Sequence, residues 1–485
     1  MKFFSLEKKD LIFLFLLLLF IGDTAFSYYQ HALVPIDGDI PSLVAPSDAY
    51  QQVLHDPFGF KIVQSGENCA ASNRFFVQWP TYVYFRHAPL WLQSFLSPID
   101  SVYASIALAK TFLQVGLILL LASYISVSFG WKRNEWMLAA VLICPLFQAV
   151  GFFEYLCMID NCASYAFAYA LPTLALMVFL YPYYRAAITG HSGLPAWLKP
   201  LWLLLPIGLT FSGPVTGPVL LILCPSTLLY FFYESWKNKS DLSFSQRFIQ
   251  SLTSINKQLL ISFGFTTLLC IYSFYIGTHN SENSWEVISL TERYKKLLEG
   301  LLKLTSFSEG FMPVLLAVLY NLFLLQRSKN AGTEKLTRIL YFALLFTLAY
   351  LFLLPLGGYR SYRPYIIRRD TLQPVLWLLF FAWGLSTVYV LKNNVSRKRT
   401  VYASFIIILC MVYTFTDKLP GYTNACERQS MQEIAASTED CVELKESCTV
   451  MQWGPAGQCD DTRYGAALLH LWNITPREIK YHQKP

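Results

Sequence analysis

Two short stretches of this chain hold residues that could do chemistry together. The first is Asp37-Gly38-Asp39, two carboxylates around a glycine a few residues beyond the first apolar run. The second is Gly357 to Asp370, where Arg360, Arg363, Arg368 and Arg369 are interleaved with Tyr359, Tyr362 and Tyr365. A carboxylate at a membrane surface can take the proton of an attacking hydroxyl if partial burial brings its pKa near the working pH. Guanidinium groups grip phosphate oxygens bidentately, and a leaving phosphate gains charge as its bond breaks, so arginines hold it best in the transition state. Each stretch also has a plainer reading. Asp and Gly are common turn formers, and an arginine at a membrane surface can snorkel to headgroups. The topology below puts all four arginines on the outer face, where membrane proteins normally avoid them, and this favours an anion site.

Other candidates lie around these two. Phe75, Phe76, Trp79, Tyr82, Tyr84, Phe85, Trp91 and Phe95 surround Arg86 and His87. Such a segment suits helices lying in the interface, and aromatic faces also stack on sugars. Trp79, Arg86 and His87 are the residues to test. Ser47 to Leu54 reads as a short helix with Asp48 in its first turn, where the helix dipole favours an acid. Asp56 ends that helix before Pro57, and Asp48 and Asp56 are reserve bases. Thr291 to Lys303 reads as a basic amphipathic helix on the membrane surface. No P-loop, dinucleotide fingerprint, HExxH or soluble-domain DxD motif is present. A lipid-linked substrate at the outer leaflet therefore fits better than a cytoplasmic nucleotide.

Apolar helices must position these residues. Of 485 residues, 54% are hydrophobic and 14% charged, against about a quarter charged in an average soluble domain. Apolar runs of about 16 to 21 residues recur from Leu11 and match the roughly 20 residues needed to cross a bilayer. The short alternating segments of a β-barrel do not appear. The net charge of +7 sits in short loops. It reads as an orientation signal and gives no support for nucleic-acid binding.

Lys8 and Lys9 put the N-terminus in the cytoplasm, ahead of a first span from Leu11 to Tyr28. Ala25-Phe26-Ser27 imitates a signal-peptidase site, and cleavage there would leave the later sidedness unchanged. Further spans are expected over 101–129, 136–155, 165–184, 258–277, 311–326, 339–356, 372–391 and 401–415. The apolar region from Leu201 to Tyr233 is broken by Ser212-Gly213-Pro214-Val215-Thr216-Gly217-Pro218 and has basic residues beyond both ends. About 12 residues before the break make roughly 18 Å of helix, too short to cross, so a re-entrant hairpin with an outer apex is expected. The expected fold is all-α and polytopic, with about nine spans plus the hairpin, N-terminus inside and C-terminus outside. It divides into a first span (1–28), a large outer loop (29–100), a bundle (101–415, hairpin at 201–233) and an outer tail (416–485). The spans carry few charges apart from Asp23 and Glu154, and no internal repeat is visible, which weakens a transporter reading.

Of the 11 cysteines, Cys144, Cys224, Cys270 and Cys410 fall within spans as core packing. Cys426, Cys441, Cys448 and Cys459 fall in the tail, an even set that suggests two disulfides with three possible pairings. A zinc site is the alternative, but no CxxC pair is present. Cys157 and Cys162 could close a small loop, leaving Cys69 unpaired or linked to the tail.

An acid in the first outer loop, interfacial helices in that loop, many spans and an outer tail together resemble the GT-C glycosyltransferases that use polyprenyl-phosphate sugars. Within that class the arrangement is similar to the serotype-converting O-antigen glucosyltransferases of bacteriophage-type modification clusters. The resemblance covers the whole chain as architecture and includes no long sequence signature. It implies a bacterial inner-membrane enzyme with a periplasmic site, in which Asp39, or else Asp37, is the base and Arg360, Arg363, Arg368 and Arg369 hold the donor phosphate. Tyr359, Tyr362, Trp79, Arg86, His87, Phe415, Trp453 and Lys480 would contact substrate, with the tail cysteines holding the tail's fold. The implied donor is undecaprenyl-phosphate glucose or a related sugar, supplied by a flippase, and the acceptor a lipid-linked O-antigen unit. No metal or other cofactor is implied, and inversion by single displacement is expected. Two other classes stay open. An O-antigen polymerase or ligase would need the arginines but not Asp37 and Asp39, and a transporter or flippase would place charges within its spans.

Overall fold

The computed structural model describes residues 7–281, 288–328, 330–359, 363–393, 399–446 and 448–483. Among the described residues, nine helices are long and apolar enough to cross a membrane: Lys8–Ala32, Pro98–Val127, Ala163–Thr189, Thr216–Lys237, Lys257–Thr278, Phe311–Ser328, Ala331–Gly357, Arg369–Lys392 and Arg399–Thr416. The chain is a multi-pass membrane protein. Its spans differ from the expected set in two places. The run 136–155 is not continuous: Arg133–Ile143 gives way to a 3-10 turn, Cys144–Leu146, and then a short helix, Phe153–Leu156. Pro145 accounts for the interruption, since it has no N–H to continue the ladder. Thr216–Lys237, expected as the second leg of a hairpin, is by itself long enough to cross. Before it come only Lys199–Trp202, Leu205–Thr210 and the break.

Contacts between loops sort the chain into two ends. At one end Arg133 pairs with Asp10, Lys392 with Glu135 at 3.2 Å, and Lys335 donates to the Ile188 carbonyl at 3.1 Å. At the other, Asn424 donates to the Leu33 carbonyl at 2.7 Å, Cys69 bridges to Asn280, and Arg369 pairs with Asp160. The break also lies there, because the Gly213 amide donates to the Asn73 carbonyl at 3.1 Å and the Phe76 amide to that of Phe211 at 3.2 Å. Asp37, Asp39, Arg363, Arg368 and Arg369 all fall at this second end.

Arg369–Lys392 is the central helix, with 83% of its apolar window buried. It packs closely on Pro98–Val127, where a Cβ on Gly384 would lie 2.5 Å from Ile125. Small residues permit such helix approach where lipid offers no hydrophobic drive. Inside the bundle, the Asn321 side chain donates to Ser386 and Thr387 at 3.0 Å each and accepts from Tyr402 at 2.7 Å. The first turn of this rigid helix carries Arg369 and Asp370.

The tail is not purely helical. It holds Ala425–Ala436 and Arg463–Leu471 beside two parallel strands, Cys441–Leu444 and Lys480–Gln483, registered Cys441 to Lys480. Two disulfides brace it, Cys426–Cys448 and Cys441–Cys459, one of the three pairings expected. Cys157, Cys162 and Cys69 are free thiols, so the small loop considered for Cys157 and Cys162 does not close. Tail and first loop share one hydrophobic core: Met431, Leu468 and Trp472 pack with Ile36, Ile40 and Phe85. The Trp472 indole donates to the Phe85 carbonyl at 2.7 Å.

Candidate active site

Asp37 and Asp39 sit two residues apart in different surroundings. Asp37 is 6% exposed and accepts from the Ser164 hydroxyl at 2.5 Å, the Ser164 amide at 3.0 Å and the Asp39 amide at 3.3 Å. Burial pushes its carboxyl up to about 6, against the pull of both Ser164 bonds. Asp39 turns outward, and its carboxylate accepts from the Trp453 indole N–H at 2.8 Å. Gly38 between them is required by close approach, since a Cβ there would lie 2.7 Å from the Trp453 backbone nitrogen.

Behind this loop lies a third acid. Glu427 is fully buried and accepts from the Ile36 amide at 2.9 Å, the Tyr103 hydroxyl at 2.7 Å and the Met451 amide at 2.9 Å. Burial drives its carboxyl up to about 7, with those three bonds opposing. It therefore clamps the acidic loop, the span Pro98–Val127 and the tail at one point.

The cationic half is an ion-pair network. Arg368 and Arg363 both reach Asp370, at 2.7 and 3.5 Å, and Arg369 reaches Asp160 at 2.7 Å and Glu154 at 4.0 Å. Arg369 also lies over the Phe153 ring. The Arg368 amide donates to the Thr371 hydroxyl at 2.9 Å, which fixes the start of the central helix. The Tyr359 hydroxyl donates to the Arg363 carbonyl. Helix Leu290–Leu304 covers this loop, with Lys296 donating to the Pro364 carbonyl at 3.4 Å and Gly300 against Ile367. Arg360 and Tyr362 lie outside the described residues.

The two halves meet across a pair of tyrosines that the sequence reading passed over. Tyr165 lies in the electrostatic range of both Asp39 and Arg363, and its ring is 6.0 Å from that of Trp453. Tyr169 lies in the electrostatic range of Asp370, Arg74 and Arg363. The backbone between them, Ala166–Ala170, is a π-helical turn just ahead of Pro172. Such turns recur at functional sites, and Pro172 here crowds the preceding turn. Arg74 packs on Gly213 in the break. A tyrosine pair four residues apart beside a proline was the available signal.

One turn below Tyr169 and Asp370 lie Thr173 and Pro374, and both line a cavity of about 930 Å³. Its walls are apolar, Leu176, Val219, Phe263, Trp377 and Phe381 among them, and it runs to His191 and Lys199 at the basic end. From Thr173 to Gly190 the helical rise is about 25 Å.

The other expected substrate residues are held elsewhere. Arg86 donates to the Val44 carbonyl at 3.1 Å and stacks on Tyr82. Trp79 is exposed and stacks on Phe75, His87 is exposed, and Phe415 is exposed at the end of its span. Lys480 pairs with Asp460 at 2.6 Å within the tail. Of the reserve bases, Asp56 accepts the Phe60 and Lys61 amides at 2.9 and 2.8 Å, and Asp48 begins the helix Asp48–His55. Asp160, Ser164, Glu427 and Arg74 join the site without having been expected there. No protein-family model matches this sequence, and no curated protein sequence matches it.

Proposed function

We propose that this protein is a membrane glycosyltransferase of GT-C type. In this reading it moves a sugar, glucose or a close relative, from a polyprenyl-phosphate donor to lipid-linked O-antigen or a related surface polysaccharide. The site faces the periplasm of a bacterial inner membrane, since the opposite end carries Lys8, Lys9, Lys132, Arg133, Lys199, Lys335 and Lys392. The segment from Leu201 to Tyr233 is a re-entrant hairpin whose break carries Gly213 against the first outer loop.

One observation carries the reading: Asp39 and Arg363 both lie beside Tyr165, and Arg363 also beside Tyr169, one helical turn above a long apolar cavity. That combination suits an amphiphile with an anionic head and a single long apolar tail. Asp39 takes the proton of the acceptor hydroxyl, whose oxygen forms the new bond to the sugar's anomeric carbon. The bond from that carbon to the phosphate oxygen breaks, and its electron pair leaves on the lipid phosphate, which gains a negative charge facing Arg363, Arg368 and Arg369. Trp453 and Tyr165 offer an aromatic surface to the acceptor sugar.

Replacement of Asp39 tests this. In membranes supplied with labelled polyprenyl-phosphate glucose and lipid-linked acceptor, Asp39→Asn should cut transfer by about 100-fold or more, the usual loss of a general base. Transfer at the unaltered rate would remove this mechanism and favour the polymerase class.

A further inference from the structure

The tail gathers three metal-ligating atoms that the proposed chemistry does not use. In the parallel pair Cys441–Leu444 and Lys480–Gln483, side chains alternate between two faces. Val442, Leu444, Tyr481 and Gln483 are buried on one face, and Cys441, Glu443, Lys480 and His482 lie on the other. Cys459 opens the 3-10 turn Cys459–Thr462, which is keyed to the second strand. There the Tyr481 amide donates to the Thr462 hydroxyl at 3.0 Å, and that hydroxyl donates to the Tyr481 carbonyl at 2.8 Å. The Sγ atoms of Cys441 and Cys459 and a ring nitrogen of His482 thereby come within 4.8 Å of one another, and all three residues are half-buried. The sequence offers no CxxC pair; strand pairing brings the ligands together instead.

The two tail disulfides sit in different surroundings. Cys448 is buried and its sulfur lies 3.6 Å from the Ser430 hydroxyl, so Cys426–Cys448 is a core brace. Cys441–Cys459 is half-buried and has an imidazole beside both sulfurs. A brace needs no third ligand, and an exposed disulfide is the more open to exchange. At the rim, Lys480 pairs with Asp460 at 2.6 Å. Those two cancel in charge, so a cation bound here is neutralised by its own ligands, and two thiolates match a divalent ion. At the usual zinc–sulfur length of about 2.3 Å, two tetrahedral sulfurs stand about 3.8 Å apart. That separation fits inside the 4.8 Å span of the three atoms.

We propose that Cys441, Cys459 and His482 form a redox-gated zinc site, closed while the cysteines are a disulfide and open to Zn2+ once they are reduced. A dithiol supplies two electrons and two protons and leaves as a disulfide, while the Cys441–Cys459 bond breaks into two thiols. Zn2+ then displaces both thiol protons to water and is held by two thiolates and the imidazole nitrogen, with a water in the fourth position. Bound zinc replaces the lost S–S bond as the link across the loop. Trp453 lies within the 18 residues that this link spans, and its indole donates to Asp39 at 2.8 Å. Any effect on sugar transfer through Trp453 rests on the glycosyltransferase reading; the zinc site itself does not.

The test is a cobalt titration of the purified full-length protein in detergent, after a phosphine has reduced the half-buried disulfide and been removed. Co2+ stands in for zinc and reports thiolate ligands by near-ultraviolet charge-transfer absorption and tetrahedral geometry by its visible bands. Reduced protein should show both signals and lose them to added Zn2+, and oxidised protein should show neither. His482→Ala keeps both cysteines and the disulfide, and should weaken cobalt binding by about tenfold or more. Unchanged affinity in His482→Ala overturns the proposal, as does an undiminished thiolate signal in Cys441→Ser/Cys459→Ser or a Cys441–Cys459 bond that is reduced only when the protein unfolds. If the double cysteine variant fails to fold, His482→Ala decides alone. Zinc binding in a protein without transfer activity keeps the site and removes the enzymatic reading. Transfer activity with no cobalt signal does the reverse.

Discussion

The acidic and cationic halves of the candidate site are built on opposite principles. Asp37 and Glu427 are held in first contact by neutral donors: a serine, a phenol and backbone amides. Arg363, Arg368 and Arg369 are held by carboxylates, Asp370 and Asp160. A carboxylate given only neutral donors keeps most of its basicity, and burial raises it further. An arginine already paired can still add hydrogen bonds to an arriving phosphate, because its guanidinium has five donors. The acidic half is therefore tuned by burial and the cationic half by pairing, and substitutions should fail differently in each.

The largest difference is expected within the arginines. Arg369→Ala leaves Asp160 buried without its contacting cation, and breaking such a pair costs about 3 kcal/mol or more. Arg368→Ala leaves Asp370 with Arg363 at 3.5 Å, so the loss should be about 1 kcal/mol. Thermal melts of the detergent-solubilised variants read both. Adding Asp160→Asn to Arg369→Ala should restore stability but not donor affinity. The Arg368→Ala/Arg369→Ala pair should raise the donor requirement about tenfold or more, equivalent to about 1.4 kcal/mol. Unchanged donor binding in that pair would make headgroup snorkelling the better account of these arginines.

In the acidic half a neutral replacement should hurt through geometry. Glu427→Gln keeps the shape but places an NH2 against either the Ile36 or the Met451 amide, each of which can only donate. One buried donor is then left facing another, at a cost of about 1–3 kcal/mol. Denaturant titration followed by tail tryptophan fluorescence checks this. Full wild-type stability in Glu427→Gln would mean that the three contacts do not hold loop, span and tail together, and the contrast between the halves would lose one side.

Much of the frame was legible because it depends on local averages. Apolar run length marked the spans, lysine and arginine counts sorted the loops, and the even set of tail cysteines anticipated two disulfides. The same averaging hid what breaks the pattern. The run 136–155 reads as one span although Pro145 interrupts it. The site's partners were not legible, because they come from far along the chain: Trp453 reaches Asp39 across 414 residues and Glu427 reaches Ile36 across 391. Hydropathy carries no record of such pairings. Gly38 was visible as half of a turn signal, but its function, to admit the tail backbone, needed the tail to be in place.

The smallest expected effect is the sharpest discriminator of the two halves, because it depends on the sign of a pKa shift. Asp37 and Glu427 have carboxyls raised by burial, to about 6 and about 7. Between their ordinary values and these, the folded protein binds more protons than the unfolded chain, so stability rises as pH falls. The gain begins near pH 7 with Glu427, continues near pH 6 with Asp37, and is complete once pH is below the ordinary carboxylate values. Melting the protein at pH 7.5 and 5.5 should show the higher midpoint at 5.5, by roughly a few degrees. Asp37→Asn removes one of the two groups responsible and should shrink that rise. A midpoint that falls on acidification, or a rise that Asp37→Asn leaves intact, would mean that the acidic half is also governed by ion pairing and that the two halves are built alike.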